Sequence, residues 1–190
     1  MTAALANRRE ETFLHLAGEL LVPLPEGGLW WPEQRLLVVS DLHLEKGSAY
    51  AARGQMLPPY DTGATLAVVE RLSAQLMPQT IISLGDSFHD RAAELRLPEP
   101  YADRIHALTS AHDWIGVEGN HDPDPPARDG ARLVMPAMGA FTGGLNVLDE
   151  AFGKVFPEGL TAFALGEGKV FVLSGGSLLG DVPRGAQWKL

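Results

Sequence analysis

Residues 36–43, with the sequence LLVVSDLH, decide the fold of this chain. Four consecutive apolar residues are typical of a strand that is buried on both faces, and this run stops at Ser40 and Asp41. In α/β proteins, functional side chains gather in the loops at the carboxyl ends of the sheet strands. The stretch therefore predicts a central strand that leads directly into a functional loop.

The same arrangement occurs twice more along the chain. The two further strands, with the polar pairs that follow them, are residues 81–84 before Gly85-Asp86 and residues 114–117 before Gly119-Asn120. Apolar residues at helical spacing predict helices between the strands, over residues 62–76 and 101–111, the first with Asp61 or Thr62 as its N-cap. This alternation is the βαβ pattern of a parallel or mixed sheet, with the three loops at one edge.

Flanking segments predict antiparallel strands. Residues 13–22 and 29–31 have the pattern of short strands separated by a Pro- and Gly-containing turn at residues 25–28. Residues 162–165 and 170–173 flank the turn GEGK and predict a hairpin. A chain of 190 residues has room for one substantial core, so we expect a single domain over residues 1–190.

The charge balance and the absence of cysteine exclude several kinds of site. The net charge of −9, from 24 acidic and 15 basic residues, argues against a broad basic surface for nucleic-acid backbone, although a bound divalent cation can supply a local positive field. With no cysteine, disulfides, zinc–thiolate sites, iron–sulfur clusters and cysteine nucleophiles are excluded. Any metal must be held by oxygen and nitrogen ligands, which favours Mg, Mn, Fe or histidine-bound Zn.

No part of the sequence predicts contact with a membrane. Residues 1–11 are polar and lack the apolar core of a secretory signal, and no apolar run has the length of a membrane-spanning helix. We therefore expect a cytoplasmic protein.

The three loops together carry residue types suited to metal-assisted phosphoryl chemistry. Asp41 and His43 are two residues apart, so both side chains can face the same side beyond a strand end. Asp86 can bridge two cations, Asn120 offers a neutral oxygen ligand, and His121 can act as a general acid. Each loop alone is more often an ordinary turn or a solvated histidine. All three in this order, each after a strand, favour a site in which two cations hold a phosphoryl group.

These motifs resemble the first three motifs of the calcineurin-like metallophosphoesterases. Four further segments are similar to the ligase-associated branch of that family, a DNA-damage-response endonuclease or phosphoesterase: GELL at 18–21, LWWP at 29–32, SDLHLEKG at 40–47 and PAMGAFTGG at 136–144. The resemblance implies a four-layer αββα sandwich. It also implies DNA or another phosphodiester as substrate, and a DNA-repair ligase, helicase or exonuclease as possible partners.

The resemblance further implies two divalent metal ions, most commonly Mn. Asp41 and His43 would hold the first ion, Asp86 would bridge the pair, and Asn120 would hold the second.

It also implies roles for the residues around the metals. His121 would protonate the leaving oxygen or stabilise the transition state, and Asp122 would orient His121. His89 and Lys46 would contact the phosphate of the substrate.

The chain departs from the family pattern after residue 122. Relatives have a later single histidine and a Gly-His-x-His motif that complete both metal shells, whereas no histidine follows His121 here. The linker from Pro123 to the turn at Phe141 is too short for the usual strands and loop. We therefore expect an abbreviated sandwich with a deletion junction near residues 123–132. Either the chain has lost this block, naturally or by engineering, or the sequence has closed over a stretch that the molecule contains.

Three functions remain open at this point. With only Asp86 and Asn120, the second metal site is predicted to be weak or empty. The retained His121 favours a metal-dependent phosphoesterase acting on phosphodiester bonds, with DNA repair as its setting. The absent late histidines favour a metal-site-deficient remnant that serves as a binding or regulatory module. A phosphatase for a small phosphomonoester or cyclic nucleotide is the third candidate. His106 and His112, on the second predicted helix, are expected at the surface.

Overall fold

A computed structural model describes residues 12–55, 60–89, 93–117, 133–140, 142 and 146–180. Within these residues the chain forms eight strands and five α-helices. The strands are β1 Leu14–Leu16, β2 Glu19–Pro23, β3 Leu29–Trp31, β4 Leu36–Ser40, β5 Thr80–Leu84, β6 Asp113–Val117, β7 Thr161–Gly166 and β8 Lys169–Ser174. The helices are α1 Lys46–Ala52, α2 Asp61–Leu76, α3 Ala93–Arg96, α4 Glu99–Ala111 and α5 Glu150–Val155.

The central sheet is mixed and has the order β1-β2-β3-β4-β5-β6. Neighbouring strands from β1 to β4 are antiparallel, whereas β4, β5 and β6 are parallel, with Val38 opposite Ile82 and Ile82 opposite Ile115. Helix α2 lies between β4 and β5 along the chain, and α4 lies between β5 and β6. The predicted βαβ arrangement is confirmed, and the carboxyl ends of β4, β5 and β6 lie at the same edge.

The predicted continuous strand over residues 13–22 is wrong, because a tight turn divides it. Ala17 and Gly18 both have positive φ, 51° and 89°, between the antiparallel strands β1 and β2. Two successive positive φ angles belong to the hairpin turn that matches the right-handed twist of the strands. Glycine adopts such an angle without steric cost, so Gly18 is the signal for this turn.

The core lies between α2 and one face of the parallel strands. On α2, Leu66, Val69 and Leu72 are at most 2% exposed. They belong to the same buried cluster as Leu37 of β4 and Ile81 of β5. Burying each such side chain contributes about 1.5 to 3 kcal/mol before the entropy of folding is counted. This face holds the parallel strands in register, and so fixes the loops at their carboxyl ends.

The second sheet is small in the part of the chain that the structure describes. It consists of the antiparallel hairpin of β7 and β8. An apolar cavity of about 810 Å³ lies between this hairpin, α5 and the strands β1 and β3, with Leu14, Leu29, Phe152 and Phe163 among its lining residues. Strand β6, at the edge of the central sheet, is partly open to solvent, since Ile115 is 49% exposed. The architecture of the described residues is mixed α/β, with a six-stranded central sheet and flanking helices, as expected for a metallophosphoesterase fold.

The proposed junction at residues 123–132 lies outside the described residues, and the single domain over residues 1–190 stays a prediction. None of the helices within the described ranges is long and apolar enough to cross a membrane.

Candidate metal site

Three of the predicted ligands meet at the carboxyl edge of the central sheet. Asp41 and His43 follow β4, and Asp86 follows β5. One ligand atom from each of the three side chains lies within 4.8 Å of the other two, and all three residues are half-buried. This is the spacing at which a single cation can contact all three groups.

The two loops meet because the parallel backbone ladder continues past the ends of the strands. Its bonds run from Asp41 N–H to Leu84 O (3.0 Å), from His43 N–H to Asp86 O (2.9 Å) and from Leu44 N–H to Ser87 O (3.0 Å). The third loop starts at the same edge, since Gly85 N–H donates to the last carbonyl of β6, Val117 O, at 3.1 Å. Strand pairing therefore places the ligand-bearing residues side by side.

The loop after β4 has an unusual backbone. Asp41, His43 and Glu45 have φ angles of 46°, 45° and 64°. L-residues adopt positive φ infrequently, and such conformations cluster at functional sites where the surrounding structure holds them. Positive φ at every second residue turns the chain, so that the side chains of Asp41 and His43 both reach the cluster.

The first turn of α2 supports this loop through buried polar side chains. Thr62 Oγ1 accepts from Glu45 N–H at 2.8 Å and donates to Glu45 Oε1 at 3.0 Å, and Asp61 Oδ2 accepts from Gly47 N–H at 2.8 Å. The prediction that Asp61 or Thr62 caps α2 is wrong, because the N-cap is Tyr60 and makes no side-chain capping bond. Both side chains instead bind residues 41–47, hereafter called the metal loop, a role that only the folded chain reveals.

The electrostatics of the cluster suit a divalent cation. Burial raises the pKa of Asp41 above its ordinary value; the nearby His43 lowers this pKa, and the like charge of Asp86 raises it. His43 Nδ1 is buried and has no hydrogen-bond partner among the described residues. A half-buried carboxylate and a buried ring nitrogen are costly unless they are paired, and a cation pairs both. Two carboxylates and one imidazole fit Mn, Mg, Fe or Zn.

His89 lies next to this cluster. Its ring centroid is 5.8 Å from that of His43 in an edge-on arrangement, and 5.7 Å from that of Tyr50 on α1. Lys46 is the first residue of α1, three residues after His43. The roles of His89 and Lys46 as phosphate contacts stay predictions. Sequence reasoning missed Tyr50, because α1 has no apolar periodicity that would have predicted a helix.

The remaining predicted residues fall on the third loop. Asn120, His121 and Asp122 lie outside the described residues, so their predicted roles are untested. What the structure brings together is Asp41, His43 and Asp86, with His89 beside them.

Comparison with known proteins identifies a family and a similar solved structure. The family model described as calcineurin-like phosphoesterase matches residues 34–188. Among solved structures, the chain is similar to a nuclease, MPE, from Pseudomonas putida, with 27% sequence identity and a TM-score of 0.45 over 62% of this chain. The match spans 55% of the length of that nuclease. No curated protein matches the chain.

Proposed function

Because the chain belongs to the calcineurin-like phosphoesterase family, we propose that it is a metal-dependent hydrolase of phosphodiester bonds. Members of this family are divalent-metal-dependent enzymes that act on phosphoester bonds. The observation that carries the proposal is the convergence of Asp41, His43 and Asp86 at the edge where three parallel strands end.

The proposed cofactor is a pair of divalent ions, with Mn as the first candidate. Asp41 and His43 would hold one ion, Asp86 would bridge the two, and Asn120 would hold the second. When bound, such ions polarise the phosphoryl oxygens and activate a water for attack. The raised pKa of Asp41 supports this assignment, because a cation restores the charged carboxylate that burial disfavours.

Proton transfer and substrate binding are assigned to residues around the metals. His121 would donate a proton to the leaving oxygen, and Asp122 would stabilise the protonated imidazole and fix its orientation. His89 and Lys46 would contact the phosphate. The support for His89 is that its ring centroid lies 5.8 Å from that of the proposed metal ligand His43.

DNA is the proposed substrate and DNA repair the proposed setting. The support is the likeness of residues 40–47 and 136–144 to the ligase-associated branch. These two segments also contact each other at the metal loop. For example, Gly139 N–H donates to Asp41 O. A repair ligase, helicase or exonuclease would be the partner, and the cytoplasm the location. With a net charge of −9, the protein would bind phosphate chiefly through its metals.

A second candidate function is favoured by the histidine distribution. No histidine follows His121, so the second metal would have only Asp86 and Asn120 as protein ligands. A site with so few ligands binds weakly. In that case the chain would be a remnant of the fold that acts as a binding or regulatory module without turnover.

Metal titration and phosphodiester hydrolysis with the same protein preparation test the two candidates. Calorimetry with Mn and cleavage of single-stranded DNA would be measured for the wild type, Asp86→Asn and Asp103→Asn. Asp103 is an exposed residue of α4 and serves as the matched control. We expect Mn binding and cleavage in the wild type and the control, and loss of both in Asp86→Asn.

The other outcomes separate the hypotheses. Binding of one Mn without cleavage would favour the binding module over the enzyme. If the wild type neither binds Mn nor cleaves DNA, the proposal of a metal-dependent hydrolase is contradicted.

A further inference from the structure

A segment far along the chain docks on the backbone of the metal loop. Ser40 Oγ donates to Pro136 O at 2.6 Å, across 96 residues of sequence. In the other direction, Met138 N–H donates to Ser40 O and Gly139 N–H donates to Asp41 O, both at 3.0 Å. The carbonyl oxygens of Ser40 and Asp41, where β4 leads into the metal loop, therefore accept hydrogen bonds from Met138 and Gly139.

This docking leaves no space for a side chain at Gly139. A Cβ atom there would collide with the carbonyl oxygen of Leu42, and would lie 2.9 Å from the carbonyl carbon of Leu42 and 3.0 Å from Asp41 O. All three atoms are backbone, so none can move away by a side-chain rotation. The close approach of two backbones, and not a positive φ, is what requires glycine at this position.

The docked segment is held on its other side by α2. Ala140 N–H donates to Thr65 Oγ1 at 3.1 Å, and Thr65 is 3% exposed. Thr65 lies one helical turn from Thr62, which binds Glu45 of the metal loop. The start of α2 therefore binds both the metal loop and residues 136–140, which dock on that loop.

We infer that Gly139 is a positioning residue of the metal site. Its missing side chain lets residues 138–140 close on the peptide of Leu42, which lies between the two strained residues Asp41 and His43. A displaced Leu42 peptide would rotate both flanking residues and move their side chains apart. The inference rests on the proposed metal-binding function, and it adds a residue that has no ligand atom of its own.

Mn binding by Gly139→Ala tests the inference, with Gly153→Ala as the matched control. Gly153 lies in α5, and a Cβ atom there would meet nothing within 4 Å. Changes in residues that orient metal ligands typically weaken metal affinity ~10- to 100-fold, which is the loss we expect for Gly139→Ala. Gly153→Ala should bind as the wild type does. The electron paramagnetic resonance spectrum of residual bound Mn should also change, which a purely structural role would not produce.

An unchanged Mn affinity in a folded Gly139→Ala protein, verified by circular dichroism, would overturn the inference. If Gly139→Ala does not fold, a second pair of variants decides. Thr65→Val removes the acceptor of Ala140 N–H at nearly constant volume, whereas Thr65→Ser keeps it. We expect weaker Mn binding in Thr65→Val and recovery in Thr65→Ser; equal affinities in both would overturn the inference.

Failure of the proposed function is distinguishable from failure of this inference. If the wild type binds no Mn, the metal-dependent hydrolase is contradicted, while amide hydrogen exchange in the metal-free protein still tests Gly139. The amides of Asp41 and His43 donate to Leu84 O and Asp86 O. Faster exchange of these amides in Gly139→Ala than in Gly153→Ala supports the positioning role, and equal rates overturn it.

Discussion

His43 donates its backbone N–H to the carbonyl of Asp86 at 2.9 Å, while the side chains of both residues contribute to one cluster of ligand atoms. This backbone bond, together with its neighbour from Leu44 N–H to Ser87 O, therefore joins the two loops at the point where their side chains converge. Because β4 and β5 pair along their whole length, this bond continues a ladder that the sheet already fixes. Pairing of the strands therefore orders both loops, so metal binding has little loop ordering to overcome.

Metal binding should stabilise the folded chain through His43. With free Mn at 100 times its dissociation constant, we expect the free energy of unfolding to rise by about 2.7 kcal/mol. For a chain of this size, that corresponds to a melting temperature about 5 to 10 °C higher. His43→Ala should abolish this increase, because it removes one of three ligands from the cluster.

The matched control for this prediction is His106→Ala on the exposed side of α4. Differential scanning calorimetry with and without Mn measures both variants. An Mn-dependent shift of equal size in His43→Ala and the wild type would show that the ion binds elsewhere.

The ion pair between Glu70 of α2 and Arg104 of α4 should give a pH-dependent stability. Arg104 Nε and one of its terminal nitrogens each donate to a Glu70 oxygen at 2.7 Å, and these hydrogen bonds lower the pKa of Glu70 below its ordinary value of 4.5. A lowered carboxyl pKa adds stability above the unfolded-state pKa, and that stability is lost as the pH falls through the folded-state pKa.

Glu70→Gln should therefore destabilise the protein near neutral pH and have no effect in strong acid. The pair is about one third exposed, so solvent screening limits the loss to about 0.5 kcal/mol. Urea unfolding between pH 3 and pH 7 measures the difference, with the exposed Glu167→Gln as control. A Glu70→Gln deficit that persists unchanged at the acid end would argue against the ion pair as its cause.

The elements that sequence predicted well are those with a local signal. Strands β4, β5 and β6 are short, mainly apolar runs that lead into polar loops, and α2 repeats its apolar residues at helical spacing. The cluster of Asp41, His43 and Asp86 followed from these elements, because parallel strands bring their carboxyl ends together.

What sequence did not predict depends on contacts between distant residues. The stretch PAMGAFTGG at 136–144 indicated only a family resemblance, yet Gly139 is required by the backbone of Leu42. Helix α1 has no apolar face that would reveal it, so Tyr50 went unnoticed beside His89. Such constraints arise from packing in three dimensions and leave no periodic pattern.

His112 illustrates the same limit and leads to a further prediction. It was expected at the surface, but it is partly buried between the end of α2 and the start of β6. Since a carbonyl only accepts, Nδ1–H donates to Pro78 O at 2.9 Å, and Nε2 forms a hydrogen bond with the Ser73 hydroxyl at 2.6 Å. The ring therefore joins segments 39 residues apart.

Replacing this ring should destabilise the fold. His112→Leu breaks both hydrogen bonds, and we expect a loss of about 1 to 2 kcal/mol in the free energy of unfolding. His106→Leu makes the same chemical change at an exposed position of α4 and should cost little. Equal losses in the two variants, measured by urea unfolding, would show that the bonds of His112 contribute nothing.

Leu72 should separate the stability of the fold from the function of the site. It is 1% exposed on α2 and packs in the cluster that includes Leu37 and Ile81. Leu72→Ala leaves a cavity in a core that relaxes only partly, so we expect a loss of about 3 kcal/mol. Leu95→Ala removes the same atoms from a side chain that is 90% exposed, and should be nearly neutral.

Mn affinity measured well below the unfolding transition should stay unchanged in Leu72→Ala, because Thr62 and Thr65 hold the loops from the other end of α2. A large loss of Mn affinity in a Leu72→Ala protein that is still folded would mean that the whole helix, and not its first turn, sets the geometry of the metal loop.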